Sequence, residues 1–150
     1  MGDKLSKRLA DVVNALPLKK GMRVLEIGCG PGAMAREIAK RIGSGYILAV
    51  DRSEKAIRQA IAGSKTEMGA GNLRFLHCPI EQLELGAAEK PFDIAVAIRV
   101  GALDGRHPEC MDPALFSIAK ALTKEGKLYV DGGDPLKEVP LEGYRDAVIR

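Results

Sequence analysis

The sequence predicts a three-layer α/β domain built around a mostly parallel sheet, and three observations carry that expectation. Short apolar runs alternate repeatedly with segments of helical period, the pattern of strands joined by crossover helices. One run, Tyr46-Ile47-Leu48-Ala49-Val50, is apolar nearly throughout, as suits a strand covered on both faces. Another, Val24-Leu25-Glu26-Ile27, leads into Gly28-Cys29-Gly30-Pro31-Gly32 and then a helical period from Ala33 to Ile42. Strand, glycine turn and helix in that succession surround a nucleotide-like cofactor with main-chain N–H groups. Right-handed crossovers give an expected strand order of 3-2-1-4-5. At 150 residues, 46% hydrophobic and 29% charged, the chain fits a single domain over 1–150 with a sizeable core.

The elements follow in order. Leu5, Leu9, Val12, Val13 and Leu16 share one helical face, so a helix is expected over 5–16, with Pro17 stopping it. Lys19-Lys20-Gly21 turns the chain into the first strand, Met22 to Ile27. After the first crossover helix, Gly43-Ser44-Gly45 closes it as glycines past a helix end do. The second strand ends at Asp51. One helix is expected from about Ser53 to Glu67, with Ala56, Ile57, Ala60 and Ile61 inward, Ser53 as N-cap and Glu54 favouring its dipole. The third strand is read over Leu73 to Cys78 and the fourth over Pro91 to Val100. Asp112 as N-cap and Pro113 at the first helical position open a helix through Leu122 that ends at Lys124-Glu125-Gly126. Lys127 to Asp131 is the fifth strand.

Composition narrows the function. No apolar run approaches the ~20 residues of a membrane span, and Met1 to Arg8 lacks the apolar centre of a signal peptide. Three cysteines, an odd number without metal-ligand spacing, argue against a disulfide scaffold or a metal site and for a reducing, cytoplasmic setting. A net charge of +3, no Trp and few aromatic residues disfavour a nucleic-acid partner.

Two cofactors compete for the glycine turn. Gly28-x-Gly30-x-x-Ala33 satisfies the degenerate dinucleotide fingerprint, with Asp51 about 20 residues on to meet ribose hydroxyls through its two carboxylate oxygens. However, Glu26 stands two residues before the first glycine, and Gly32 extends the pattern to Gly-x-Gly-x-Gly. The run Leu25-Glu26-Ile27-Gly28-Cys29-Gly30-Pro31-Gly32 closely resembles motif I of class I, Rossmann-like S-adenosylmethionine-dependent methyltransferases. Phe92-Asp93-Ile94-Ala95-Val96 resembles their fourth-strand motif, and Leu122-Thr123-Lys124-Glu125-Gly126-Lys127-Leu128 fits their approach to the fifth strand. The resemblance covers roughly residues 5 to 134.

That resemblance implies a role for each matching residue. Gly28, Gly30 and Gly32, with Cys29 as a small residue in a crowded turn, would lie under the methionine part and ribose of S-adenosylmethionine. Glu26 would order the loop or hold the donor's amino group. Asp51, with Arg52 beside it, would hold the ribose. The family often has an acid after the third strand, but Pro79 stands there. Adenine would instead rest on Ile80, with Glu81 either reaching its exocyclic amine or capping a short helix. Arg99 to Asp104 would face the transferred methyl group, and Asp104, Arg106 and His107 are candidates for holding or deprotonating a small-molecule acceptor, His107 first as base. The family's C-terminal helix and hairpin exceed the fifteen or so residues after Pro135, so the hairpin is expected to be shortened or absent. The tail after Pro135, ending Asp146 to Arg150, is then expected to cover the exposed fifth strand in its own subunit or in a homodimer. A cofactor-binding module without turnover and a nicotinamide-dinucleotide oxidoreductase are the alternatives, the latter disfavoured because no length remains for a substrate domain.

Overall fold

A computed structural model describes residues 5–149 of the chain. Six strands form one sheet in the order β3-β2-β1-β4-β5-β6: β1 (Arg23–Ile27), β2 (Tyr46–Asp51), β3 (Leu73–His77), β4 (Phe92–Ala97), β5 (Leu122–Asp131) and β6 (Leu136–Val139). The first five are parallel, and the expected 3-2-1-4-5 order is the observed one. Helices α1 (Lys7–Ala15), α2 (Ala33–Arg41), α3 (Glu54–Ala62), α4 (Lys65–Gly69), α5 (Met111–Ala121) and α6 (Glu142–Ile149) join and flank them.

The core is split by the sheet, which is what a three-layer arrangement requires. Val12, Val13, Ile38, Ile42 and Ile57 pack with Val24 and Ile47 on one face. Leu25, Leu48, Phe92, Ile118 and Leu128 pack together on the other. Burial of each such side chain stabilises the fold by about 1.5–3 kcal/mol. The central strands are thus apolar on both faces, and the strand ends are left to carry polar groups. Asp93, within the Phe-Asp pattern, accepts the Arg23 N–H at 2.8 Å and ties the entry of β1 to β4. Its role is structural.

Three expectations are corrected. The helix read over 53–67 is two helices, because Gly63 and Ser64 part α3 from α4; buried Ser64 instead accepts from the Arg36 guanidinium at 2.9 Å. Cys110, not Asp112, is the N-cap of α5, and Asp112 accepts from the Tyr144 hydroxyl at 2.7 Å. The helix ends at Ala121, and the chain is already strand at Leu122. Gly126 lets β5 lie close to β4, since a Cβ there would stand 2.9 Å from Leu122 Cβ and 3.1 Å from the Asp93 carbonyl.

At the edge the hairpin is present in short form: β6 pairs antiparallel with β5, Leu128 opposite Val139 and Asp131 opposite Leu136. The tail after Pro135 therefore covers the fifth strand within its own chain, one of the two expected arrangements, and does so through residues 136–139; Arg150 lies outside the described residues. Beyond β6, α6 packs on α5 through a Phe116–Tyr144 edge-to-face pair with centroids 4.8 Å apart. The Arg145 guanidinium donates to the carbonyls of Thr123, Lys124 and Gly126.

Candidate functional site

Parallel strands end on one side of the sheet, and the crevice outside those ends is where open α/β folds take ligands. A cleft of about 250 Å³ lies there, lined by Ile27, Gly28, Asp51, Arg52, Ile80 and Glu81 at one end and Arg99, Val100, Arg106 and His107 at the other. It thus brings together seven sequence-expected site residues, Gly28, Asp51, Arg52, Ile80, Glu81, Arg99 and His107, and also Arg106 among the acceptor-binding candidates. Val100, within the 99–104 stretch expected to face the methyl group, lines it too, as does Cys78, which no motif signalled.

The glycine turn is held by its own hydrogen bonds. Gly28 and Cys29 donate to the Val50 carbonyl at 2.8 and 3.1 Å, and Gly32 donates to the Cys29 carbonyl at 3.1 Å. Gly30 donates to Asp51 Oδ2 at 2.8 Å. Four main-chain N–H groups that a pyrophosphate would need are therefore engaged inside the protein, which weighs against a dinucleotide.

Cys29 and Gly32 do not line the cleft. Cys29 is buried on the α2 side of the sheet, among Val24, Met34 and Ile57, and burial pushes its thiol far up from its ordinary value. Gly32 caps α2 with φ of 92°, and a Cβ there would stand 3.0 Å from Phe75 Cζ and 3.2 Å from Ala60 Cβ. Its lack of a side chain serves packing rather than cofactor approach. We expect Gly32→Ala to lose roughly 2–4 kcal/mol of stability, from left-handed backbone and overpacking together, read as a lower midpoint in urea. An unchanged midpoint would return Gly32 to a purely cofactor-facing role.

Two carboxylates flank the turn from opposite sides. Asp51, at the end of β2, accepts from Gly30 N–H through Oδ2 and from Ser53 N–H through Oδ1, each at 2.8 Å. Each oxygen keeps a further lone pair, and the side chain is fixed in direction. The neighbouring N-cap is Ser53, as expected, its Oγ accepting from Ala56 N–H at 3.1 Å. Glu26, in β1 between Ala49 and Val96, is only 3% exposed. Its Oε1 has no hydrogen-bond partner among the described residues. Burial, with a smaller push from the Asp51 charge, raises its pKa to about 8, although Arg36 acts the other way. Buried Arg36, which no motif signalled, donates to the Pro31 carbonyl at 3.0 Å and to Ser64. The nearest cation thus holds the loop and leaves Glu26 unpaired.

The far end of the cleft is built by the segment after β4. Arg99 takes a left-handed φ of 57°, alone among the described non-glycine residues. Its N–H donates to Asp131 Oδ1 at 3.1 Å, and its carbonyl accepts from Arg106 Nη2 at 2.6 Å. Asp131, at the end of β5, also meets Arg8 of α1 at 3.5 Å. It was not foreseen, although an acid closing a parallel strand is the same signal that singled out Asp51. Asp104 holds Arg106 Nε at 2.9 and 3.0 Å, and that hydrogen bonding lowers the Asp104 pKa from its ordinary value. His107 donates its N–H to the Gly101 carbonyl. Its ring rests where a Gly101 side chain would be, Cδ2 standing 2.5 Å from that Cβ position. Nδ1 lies 3.9 Å from Glu109 Oε1. Glu81 sits in the short 3-10 turn Ile80–Gln82. Among the described residues no His, Cys, Asp and Glu groups cluster to hold a metal, and no helix is long and apolar enough to cross a membrane.

Comparison with known proteins places this geometry. The family model described as a methyltransferase domain matches residues 18–147. Nocamycin O-methyltransferase of Saccharothrix syringae is 29% identical over 139 residues, which are 87% of this chain and 44% of that protein. A SAM-dependent methyltransferase from Thiobacillus denitrificans, in complex with S-adenosyl-L-homocysteine, matches with a TM-score of 0.64 at 20% identity, covering 87% of this chain and 50% of that one. The cyclase SpnF matches with a TM-score of 0.66 at 26% identity, covering 82% of this chain and 43% of that one. The chain spans half or less of the length of each of these proteins.

Proposed function

Because this chain belongs to the methyltransferase domain family, we propose that it is an S-adenosylmethionine-dependent methyltransferase acting on a small molecule, its donor lying across the strand ends from Ile80 to Arg99. The observation that carries this reading is the pair of carboxylates around the glycine turn. Asp51 is pre-aimed with a lone pair free on each oxygen, and Glu26 has an orphaned buried acceptor. A buried polar atom without a partner is costly, and a ligand ammonium would satisfy it. In this seating Asp51 takes the ribose hydroxyls, Ile80 and Glu81 hold the adenine, and Glu26 takes the amino group. Gly28 lines the cleft without a side chain, and a Cβ there would also press on Val100 Cγ2 at 2.7 Å.

When bound, the donor supplies an electrophilic methyl on a positively charged sulfur. The chain's task is to hold an acceptor in line with it and to keep water away. His107 would take the acceptor's proton on a ring nitrogen; Glu109 Oε1 stands 3.9 Å from Nδ1. Gly101→Ala should then displace the ring and lower kcat about 10- to 100-fold, with the affinity for S-adenosylhomocysteine held. Unchanged turnover would remove His107 as the base. We place the protein in the cytoplasm, where free Cys29, Cys78 and Cys110 stay reduced.

Calorimetry tests the donor directly: binding of S-adenosylmethionine and S-adenosylhomocysteine is expected, with none of NAD(H) or NADP(H), and the reverse result would overturn it. A cofactor-binding protein without methyl transfer is the second reading, favoured by the likeness to a chain named as a cyclase. Label passing from the donor to any acceptor in a metabolite panel would remove that second reading.

A further inference from the structure

The acceptor end of the cleft holds two arginines whose side-chain donors the methyl-donor reading leaves unused. Arg52, Arg99, Arg106 and His107 line the cleft together with Asp51 and Glu81. Acids stand around the Arg99 end: Asp104 on Arg106 Nε, Asp131 on the Arg99 N–H and Glu109 Oε1 3.9 Å from His107 Nδ1. None of them takes the Arg99 guanidinium in a hydrogen bond or ion pair. Spare guanidinium donors suit an acceptor that bears an oxyanion.

The backbone points the same way. A left-handed conformation costs a non-glycine residue roughly 1–2 kcal/mol, and such strain persists where surrounding bonds enforce it. Arg99 is clamped on both sides, by Asp131 on its N–H and by Arg106 on its carbonyl. Among the described residues the Arg99 guanidinium itself has no hydrogen-bonded or ionic partner. Arg106 uses Nε on Asp104 and one Nη2 hydrogen on Arg99. Of its five N–H donors, three therefore remain. Two exposed arginines thus line one cleft side by side, Arg106 reaching the Arg99 carbonyl, and a guanidinium is shaped for a pair of oxygen atoms.

We propose, resting on the methyltransferase reading above, that the acceptor is a small molecule bearing an oxyanion, gripped by Arg99 and Arg106 beside His107. The shared chemistry is a carboxylate or a phosphate ester. The grip also sets the acceptor's orientation, since two fixed forks hold one end while the atom to be methylated faces the donor.

The test uses the full chain, saturated with S-adenosylhomocysteine and titrated separately with inorganic phosphate and with benzoate. At least one probe should bind, and whichever binds more tightly identifies the oxyanion. Arg99→Gln and Arg106→Gln should each weaken that probe tenfold or more while affinity for S-adenosylhomocysteine changes by less than threefold, which also reports that the fold survives. Arg99→Lys, which keeps charge without the fork, should recover part of the loss. Among methyl acceptors, acids should be modified in preference to their matched amides. Probe binding that is absent, or indifferent to the Arg variants, overturns the proposal. So does a tenfold loss of S-adenosylhomocysteine affinity in those variants, because the arginines would then serve the donor's own carboxylate. If S-adenosylhomocysteine fails to bind the parent chain, the donor reading falls. The oxyanion grip is then judged by the same two probes on the chain alone.

Discussion

Asp51→Ala should lower the affinity for S-adenosylhomocysteine about 100-fold or more. A hydrogen bond to a charged group contributes about 1.5–3 kcal/mol, and a carboxylate bridging two ribose hydroxyls makes two of them. The substitution also releases Gly30 N–H and Ser53 N–H, which the carboxylate holds at 2.8 Å. A stability loss of roughly 1–3 kcal/mol should accompany it, seen as a lower urea midpoint with the fold intact. The two effects separate in Asp51→Asn. Its side chain keeps the shape and one acceptor oxygen but turns an NH2 group toward the other main-chain donor. The turn should loosen on that side, with faster amide exchange at Gly30 or Ser53, and ribose binding should still lose its charge-assisted pair. If Asp51→Ala binds S-adenosylhomocysteine as the parent does, the ribose assignment is wrong and Asp51 only braces the turn.

That double duty marks the boundary of what the sequence discloses. Hydrophobic period gives strands and helices because burial on a sheet face is a local property, and the apolar 46–50 run could be nothing but an inner strand. An acid at a strand end near a glycine turn likewise has few places to point. Tertiary partners are less legible. Gly32 carries the same motif signature as Gly28 and both are tightly packed, Gly32 on Phe75 and Ala60 and Gly28 on Val100, yet only Gly28 lines the cleft. Period also fails where a strand starts without a break. Leu122 is the next apolar residue on the α5 pattern, and the chain extends there because β4 offers Phe92 as a partner. The short hairpin strand could not be located from sequence because Leu136–Val139 is four residues with exposed Lys137 and Glu138, too short and polar to read as a strand. Its pairing with β5 supplies what its sequence lacks. Arg99 is the least legible of all, since its unusual backbone depends on Asp131 and Arg106, two residues distant in the chain.

Glu26→Gln should flatten the dependence of stability on pH. In the unfolded chain Glu26 loses its proton near the ordinary 4.5, whereas in the fold it keeps it to about 8. Between those values the folded state binds more protons than the unfolded one, so stability is full below pH 4.5 and falls as pH rises to about 8. Each pH unit in that window is worth about 1.4 kcal/mol, and the whole fall is of order 5 kcal/mol. Gln cannot ionise, so the variant should match the parent in acid and exceed it by several kcal/mol above pH 8, measured as urea midpoints at a series of pH values. The same proton should report the ligand. If the donor's ammonium sits against Glu26, binding favours the ionised acid, releases a proton near neutral pH, and tightens as pH rises toward 8. Calorimetry in two buffers of different ionisation enthalpy would count that proton, and Glu26→Gln should abolish both the release and the trend. Parallel pH profiles for parent and variant would mean that Glu26 gives up its proton in the fold as readily as in the unfolded chain, and neither the proton release nor the pH trend in binding would then come from it.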